Sequence, residues 1–184
     1  MSAIHLLPLG GASATLAETL QGHLERIFRT DVSLRDFALD LDEFFDPARG
    51  QYNSTRLLMH LKAHYAPLQA PGSVKVLGLV PFDLFIPILT HVFGEAELGG
   101  NVAVVSYYRL APERYGLPPD DALFTARLVK EVVHELGHAH ALTHCSTYSC
   151  VMHSSSYVEE IDLKESAFCI PCARDMRLRA RKVV

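Results

Sequence analysis

Residues 134–150 read His-Glu-Leu-Gly-His-Ala-His-Ala-Leu-Thr-His-Cys-Ser-Thr-Tyr-Ser-Cys, and this stretch restricts the fold more than any other part of the chain. His134 and His138 stand four apart, so on a helix they share a face, one turn or about 5.4 Å along the axis. Two imidazoles so placed can occupy neighbouring corners of one zinc tetrahedron. Glu135, beside the first of them, can reach a metal-bound water without itself ligating the metal. His144 lies six residues beyond His138, roughly 240° further round an ideal helix. It can join the same metal only if the helix ends and the chain turns back. The spacing predicts that end near Ala141, and the simplest stop places Ala141 in the left-handed region, where glycine is the usual occupant.

The cysteines follow directly. All four, Cys145, Cys150, Cys169 and Cys172, fall within one short span as C-x4-C and C-x2-C. Pairs this close suit a tetrahedral thiolate zinc site better than disulfides, because Cys169 and Cys172 would close a very small loop. Disulfides and free thiols are the alternatives. Thiolate chemistry of this kind fits a reducing cytosol.

A chain of 184 residues suits a single domain, 1–184, with a sizeable core. The net charge of −4 gives no reason to expect nucleic acid or an anionic membrane as partner. The N-terminus lacks a basic region, and Pro8, Gly10 and Gly11 interrupt its apolar start; no run approaches the ~18 apolar residues of a membrane span. A cytoplasmic monomer is expected.

Residues 3–9 read as a buried strand, and Thr15 with Glu18 as a capping box for a first helix carrying Leu16, Leu20, Leu24, Ile27 and Phe28. Residues 31–37 alternate as a second strand. Asn53 or Ser54 caps a second helix with Leu57, Leu58, Leu61 and Tyr65 on its apolar face. His60 and His64 are also four apart, but no third ligand or acid accompanies them, so they read as a solvated face. Residues 74–80 and 102–107 are further strands, with Gly94, Gly99 and Gly100 marking a hairpin-like return between them. Pro118, Pro119, Asp120 and Asp121 start the helix that bears His134 and His138, with Leu128, Val129, Val132 and Leu136 on its other side. The alternation of strand and helix predicts an α/β fold with a mostly parallel core and later strands reversing.

These residues together resemble the archaemetzincins, small members of the metzincin clan of zinc peptidases. The likeness rests on the metal helix, the cysteine directly after the third histidine, Cys150-Val-Met152 and Cys169-Ile-Pro-Cys172, and is strongest over 121–173. It extends upstream through Gln51-Tyr-Asn-Ser and Asp83 to Leu110. It implies two zinc ions: a catalytic one on His134, His138 and His144, with Glu135 as general base and acid, and a structural one on Cys145, Cys150, Cys169 and Cys172. It implies that Met152 forms the tight methionine turn beneath the site. It also implies a twisted, mostly parallel sheet in an upper part (1–144), and a smaller lower part (145–184) with a C-terminal helix. Two departures stand out: Ala141 occupies the position where the family motif has glycine, and the residues after Met152 are His-Ser-Ser-Ser-Tyr.

The activity so implied is hydrolysis of peptide bonds by a Glu135-activated, zinc-bound water, with aminopeptidase action as one form and a peptide or protein as partner. Substrate would lie extended along an edge strand, and Ser154 to Tyr157 are candidates for the specificity pocket. Tyr148 and Tyr157 could assist an oxyanion but are read as packing residues. Two alternatives remain: a zinc protein whose peptidase site is degenerate, and a zinc-stabilised binding module. The binding module draws on the basic tail, Arg174, Arg177, Arg179, Arg181 and Lys182. Those cations also suit a helix C-terminus, with Arg174, Arg177 and Arg181 on one solvated face.

Overall fold

Period-two burial builds the main sheet, in a computed structural model that describes residues 2–65 and 74–180, with backbone alone for 177–180. Strand β1 (Ala3–Pro8) sends Ile4 and Leu6 into one apolar cluster and Leu7 into another. The same division recurs in β5 (Val74–Val80), with Leu77 and Leu79 against Val76 and Val80, and in β8 (Val102–Ser106), with Ala103 and Val105 against Val102 and Val104. Strands buried on both faces are what a helix-covered parallel sheet requires. With β2 (Val32–Leu34) and β7 (Gly94–Ala96) the sheet runs β2-β1-β5-β8-β7. All its pairings are parallel except that of β7 with β8, where Gly94 faces Val105 across an antiparallel return. The edge strand β7 is therefore the reversed one, as the glycines at 94, 99 and 100 predict.

Helix α1 (Ala14–Phe28) buries Ala17, Leu20, Leu24 and Phe28 on the sheet. Its cap differs from the expected one. Ser13 is the last extended residue, and its hydroxyl, not that of Thr15, accepts from the Leu16 N–H at 3.3 Å. Strand β2 is shorter than expected, three residues long. Asn53 caps α2 (Ser54–His64) by accepting from the Arg56 N–H at 3.0 Å, and Leu57, Leu58 and Leu61 pack on the opposite face of the sheet. On that helix His64 is exposed, whereas His60 packs its ring against Phe37 and Phe44. A second sheet, unexpected from sequence, joins β3 (Phe45–Asp46), β4 (Gln51–Asn53) and β6 (Leu84–Phe85) in the order β3-β4-β6.

The long helix α3 (Asp121–Ala139) begins where the Asp120 carboxylate accepts from the Leu123 N–H at 2.9 Å. Its Leu128, Val129, Val132, Val133 and Leu136 enter the core beside Leu77, Leu79 and Val105. The chain beyond it packs into the same core through Cys150, Val151, Met152, Val158, Ile161 and Met176. That segment carries α4 (Val158–Leu163) and the C-terminal helix α5 (Ile170–Ala180). The architecture is mixed α/β, as expected. Arg174 is exposed. Arg181 and Lys182 lie outside the described residues, as do the side chains of Arg177 and Arg179. No helix among the described residues is long and apolar enough to cross a membrane.

Candidate active site and cysteine cluster

One stripe of α3, formed by Glu131, His134, Glu135 and His138, faces a cleft of about 720 Å3. Residues 92–96, including the edge strand β7, form one wall and Ser154 to Tyr157 form the other. His134 and Glu135 are 5% and 6% exposed, so the polar groups of this stripe are shielded from bulk water.

The end of α3 takes the conformation that the spacing predicts. Ala141 has φ 66°, a left-handed residue. Its N–H donates to the His138 carbonyl at 2.8 Å, and the Leu142 N–H reaches back to Gly137 at 2.9 Å. These two bonds form a Schellman stop, with Leu142 buried behind it. The chain then returns His144 to its partners. The rings of His134, His138 and His144 have centroids 4.6, 5.3 and 4.9 Å apart in pairs, and one nitrogen from each lies within 4.8 Å of the others.

Backbone carbonyls determine which nitrogen of each buried ring is free. His134 donates from Nδ1 to the Val151 carbonyl at 2.8 Å, and His138 from Nδ1 to that of Leu142 at 2.8 Å. A carbonyl cannot donate, so both rings carry the proton on Nδ1 and present a bare Nε2. Those two Nε2 atoms face each other at 3.0 Å. Burial pushes the His134 imidazolium pKa down to about 3 and lowers those of His138 and His144, which keeps the rings neutral. Facing lone pairs repel unless a cation lies between them. Tetrahedral zinc with Zn–N of about 2.1 Å needs nitrogens about 3.4 Å apart, within a few tenths of an ångström of this pair. The donor set fits zinc.

Glu135 lies against the edge strand. A Cβ on Gly94 would stand 2.6 Å from Glu135 Cγ and 2.8 Å from the Val104 carbonyl, so a side chain at 94 would displace the carboxyl. Burial holds that carboxyl well above the ordinary range, and the charges of Glu131 and Glu95 push it further up. Beneath the helix, a Cβ on Gly137 would fall on Met152 Sδ, and Met152 is fully buried. One turn before Glu135, Glu131 accepts from Lys164 Nζ at 3.2 Å, and Lys164 also donates to the His153 carbonyl at 3.1 Å. Glu131 and Lys164 escape a sequence reading because charged residues are expected at the surface. Gly94 carried a signal, since a glycine within a strand often marks a close approach.

The four cysteines form a second cluster, none of them in a disulfide, with all sulfurs within 4.8 Å of one another. Cys145 Sγ and Cys169 Sγ are 3.7 Å apart. Zinc with Zn–S of about 2.3 Å sets sulfurs about 3.8 Å apart, whereas a disulfide needs about 2.05 Å. Backbone donors face the sulfurs: Thr147 N–H to Cys145 and Cys169 N–H to Cys150, both at 3.4 Å. The Thr147 contact brings the Cys145 thiol down to about 7, whereas burial raises that of Cys150. Tyr148 and Tyr157, expected to pack, are 77% and 66% exposed: Tyr157 lies on the cleft wall, and Tyr148 meets the ring of His153 at 4.8 Å.

The sequence model of peptidase family M54 matches residues 37–178. The archaemetzincin of Archaeoglobus fulgidus is 37% identical over 174 residues, spanning 95% of this chain and 98% of that one. The crystal structure of the Methanopyrus kandleri archaemetzincin superposes with a TM-score of 0.83 at 32% identity, covering 98% of this chain and 96% of the other. A zinc-dependent peptidase from Methanocorpusculum labreanum gives a TM-score of 0.80 at 30% identity, over 94% of this chain and 99% of that one.

Proposed function

This chain belongs to peptidase family M54, the archaemetzincins, and is a zinc metallopeptidase; from that premise we propose that His134, His138 and His144 hold its catalytic zinc and that Glu135 moves the protons of peptide hydrolysis. The observation that carries this reading is the pair of bare Nε2 atoms facing each other at 3.0 Å, with His144 returned beside them and Glu135 next along the helix. A zinc ion there would supply Lewis acidity toward a carbonyl oxygen and toward water. Glu135 takes a proton from the attacking water and passes it to the departing amine, from a buried position on α3 next to His134 and facing the cleft. The Val151 and Leu142 carbonyls hold the rings of His134 and His138 in orientation. An extended peptide lies along the outer side of β7, since that strand ends the sheet and lines the cleft. Ser154 to Tyr157 face it from the other wall.

A second zinc, on Cys145, Cys150, Cys169 and Cys172, ties the residues from 145 onward, the lower part, to the end of α3. The enzyme is read as a cytoplasmic monomer acting on peptides, with no nucleic acid or membrane partner. Aminopeptidase action is one form of that activity, and matched peptides with free and blocked N-termini distinguish it from endopeptidase action.

Glu135→Ala tests the mechanism. It should keep two zinc ions per chain by elemental analysis and lose about 10²- to 10⁴-fold in turnover of a peptide substrate. Wild-type turnover in that variant would remove Glu135 from the mechanism. A single zinc ion in wild type that is unaffected by His134→Ala would remove the three-histidine site.

A further inference from the structure

Lys75 occupies a position that its neighbours along the strand would assign to leucine. It lies on the face of β5 that carries Leu77 and Leu79 toward α3, and it is 8% exposed. Burying an ammonium there is costly unless each of its protons finds an acceptor. The acceptors are present. Lys75 Nζ donates to the Gly100 carbonyl at 2.6 Å, to Asn101 Oδ1 at 3.2 Å and to the Ala139 carbonyl at 2.9 Å. None is a carboxylate, and Lys75 forms no ion pair among the described residues; the Glu97 carboxylate favours its charge from further off, and the negative end of the α3 dipole adds to this.

The last four carbonyls of α3 then account for themselves. Leu136 accepts from the His140 N–H, Gly137 from Leu142, and His138 from both Ala141 and Gly99. Ala139, the last helical residue, accepts from Lys75. The Gly99 bond, at 2.8 Å, and the Gly100 and Asn101 bonds come from the turn that joins β7 to β8. One ammonium thus holds a central strand, the turn of the edge hairpin and the end of the helix that bears His138. It does so just before Ala141 breaks that helix and the chain returns with His144.

Building on the reading of the three-histidine site and the edge strand given above, we infer that Lys75 is a positioning residue of the peptidase. It fixes the edge hairpin to the end of the metal helix, so that the zinc site and the strand that receives substrate keep one geometry. Removing the charge takes the donor from the buried Ala139 carbonyl and the half-buried Gly100 carbonyl and frees the turn to move away from the helix end.

The test compares wild type with Lys75→Met, which keeps the length and loses the charge, Lys75→Arg, which keeps the charge, and Asn101→Ala. Each full-length protein, with zinc retained on its cysteines, is depleted at the histidine site and titrated with Co2+ by its visible spectrum. Lys75→Met should weaken Co2+ binding at least about 10-fold, with kcat reduced and KM for an extended peptide raised. Lys75→Arg should recover part of the loss, and Asn101→Ala should lie between. A lysine that serves stability alone would lower the melting temperature and leave the Co2+ dissociation constant and kcat at wild-type values, and that result overturns the inference. If Lys75→Met does not fold, Lys75→Gln replaces it, with the same two outcomes. His138→Ala is the control. Unchanged Co2+ binding in that variant would defeat the three-histidine reading itself, whereas weakened binding there beside intact binding in Lys75→Met defeats only the role of Lys75.

Discussion

At the scale of single residues, Ala141 is where the chain meets a backbone requirement with an unfavourable side chain. Its φ of 66° costs an alanine on the order of 1 kcal/mol relative to glycine. The Cβ faces Gly99, where an added Cβ would come within 3.2 Å, so the site leaves little space on that side. Ala141→Gly should raise the stability of the zinc-loaded protein by up to about 1 kcal/mol, less what glycine's extra freedom in the unfolded chain removes. Thermal melts of the loaded forms give the answer, and a lower midpoint for the glycine variant would mean that the left-handed geometry carries no strain. This conformation was legible in the sequence because His144 can rejoin His138 only after a sharp stop. The glycines at 94 and 137 were less legible. What they make room for, Glu135 and Met152, comes from other turns of the chain, and a one-dimensional pattern does not record which side chain passes over which glycine.

At the scale of elements, the apolar side of α3 was readable from its spacing, whereas the burial of Arg127 and Glu131 on the same helix was not. Both would face solvent on an isolated amphipathic helix. They are buried because α4, six residues long and too short to leave a periodic signature, supplies Asp162 to Arg127, and Lys164 just beyond it pairs with Glu131. Arg127 meets Asp162 of α4 in a two-pronged pair, Nε to Oδ1 at 2.8 Å and Nη2 to Oδ2 at 2.7 Å, while Nη1 donates to the Leu110 carbonyl at 3.0 Å. The guanidinium is nearly inaccessible, 2%, whereas Asp162 is about a third exposed at 32%. Asp162→Ala would strand the buried charge and should cost about 3 kcal/mol, at the low end for a broken buried pair because water reaches the carboxylate side. Replacing Arg127 and Asp162 together by leucine should cost less than the single change, since no charge is then left unpaired. Urea unfolding of wild type and the two variants measures this, and a double variant less stable than Asp162→Ala would show that the pair contributes more than it costs to bury. The two- and three-residue strands of the small sheet escaped the sequence for the same reason as α4: they are too short for alternation to register.

At the scale of the whole molecule, the order of dependence between the two candidate metal centres is asymmetric. Cys145 follows His144 directly, its N–H donates to the Met152 carbonyl at 2.9 Å, and the His134 ring is held by the carbonyl of Val151, which lies between Cys150 and Met152. The cysteine cluster therefore anchors both ends of the segment that orients the histidines. His134 in turn holds the Val151 carbonyl beside Cys150, but among the described residues no hydrogen bond joins the three histidines to Cys169 or Cys172 at the start of α5, so half of the cysteine cluster is independent of them. Cys172→Ser should accordingly lower the melting temperature, release the zinc of the cysteine site and weaken metal binding at the histidines as well. His138→Ala should empty the histidine site and leave the cysteine zinc resistant to chelator, because a closed thiolate site holds its metal more firmly than an open three-ligand one. Zinc content after a timed exposure to chelator, followed by a melt of each variant, separates the cases. Equal losses of zinc and of stability in the two variants would mean that the centres support each other symmetrically, and the cysteine cluster would then have no claim to be the foundation on which the catalytic geometry rests.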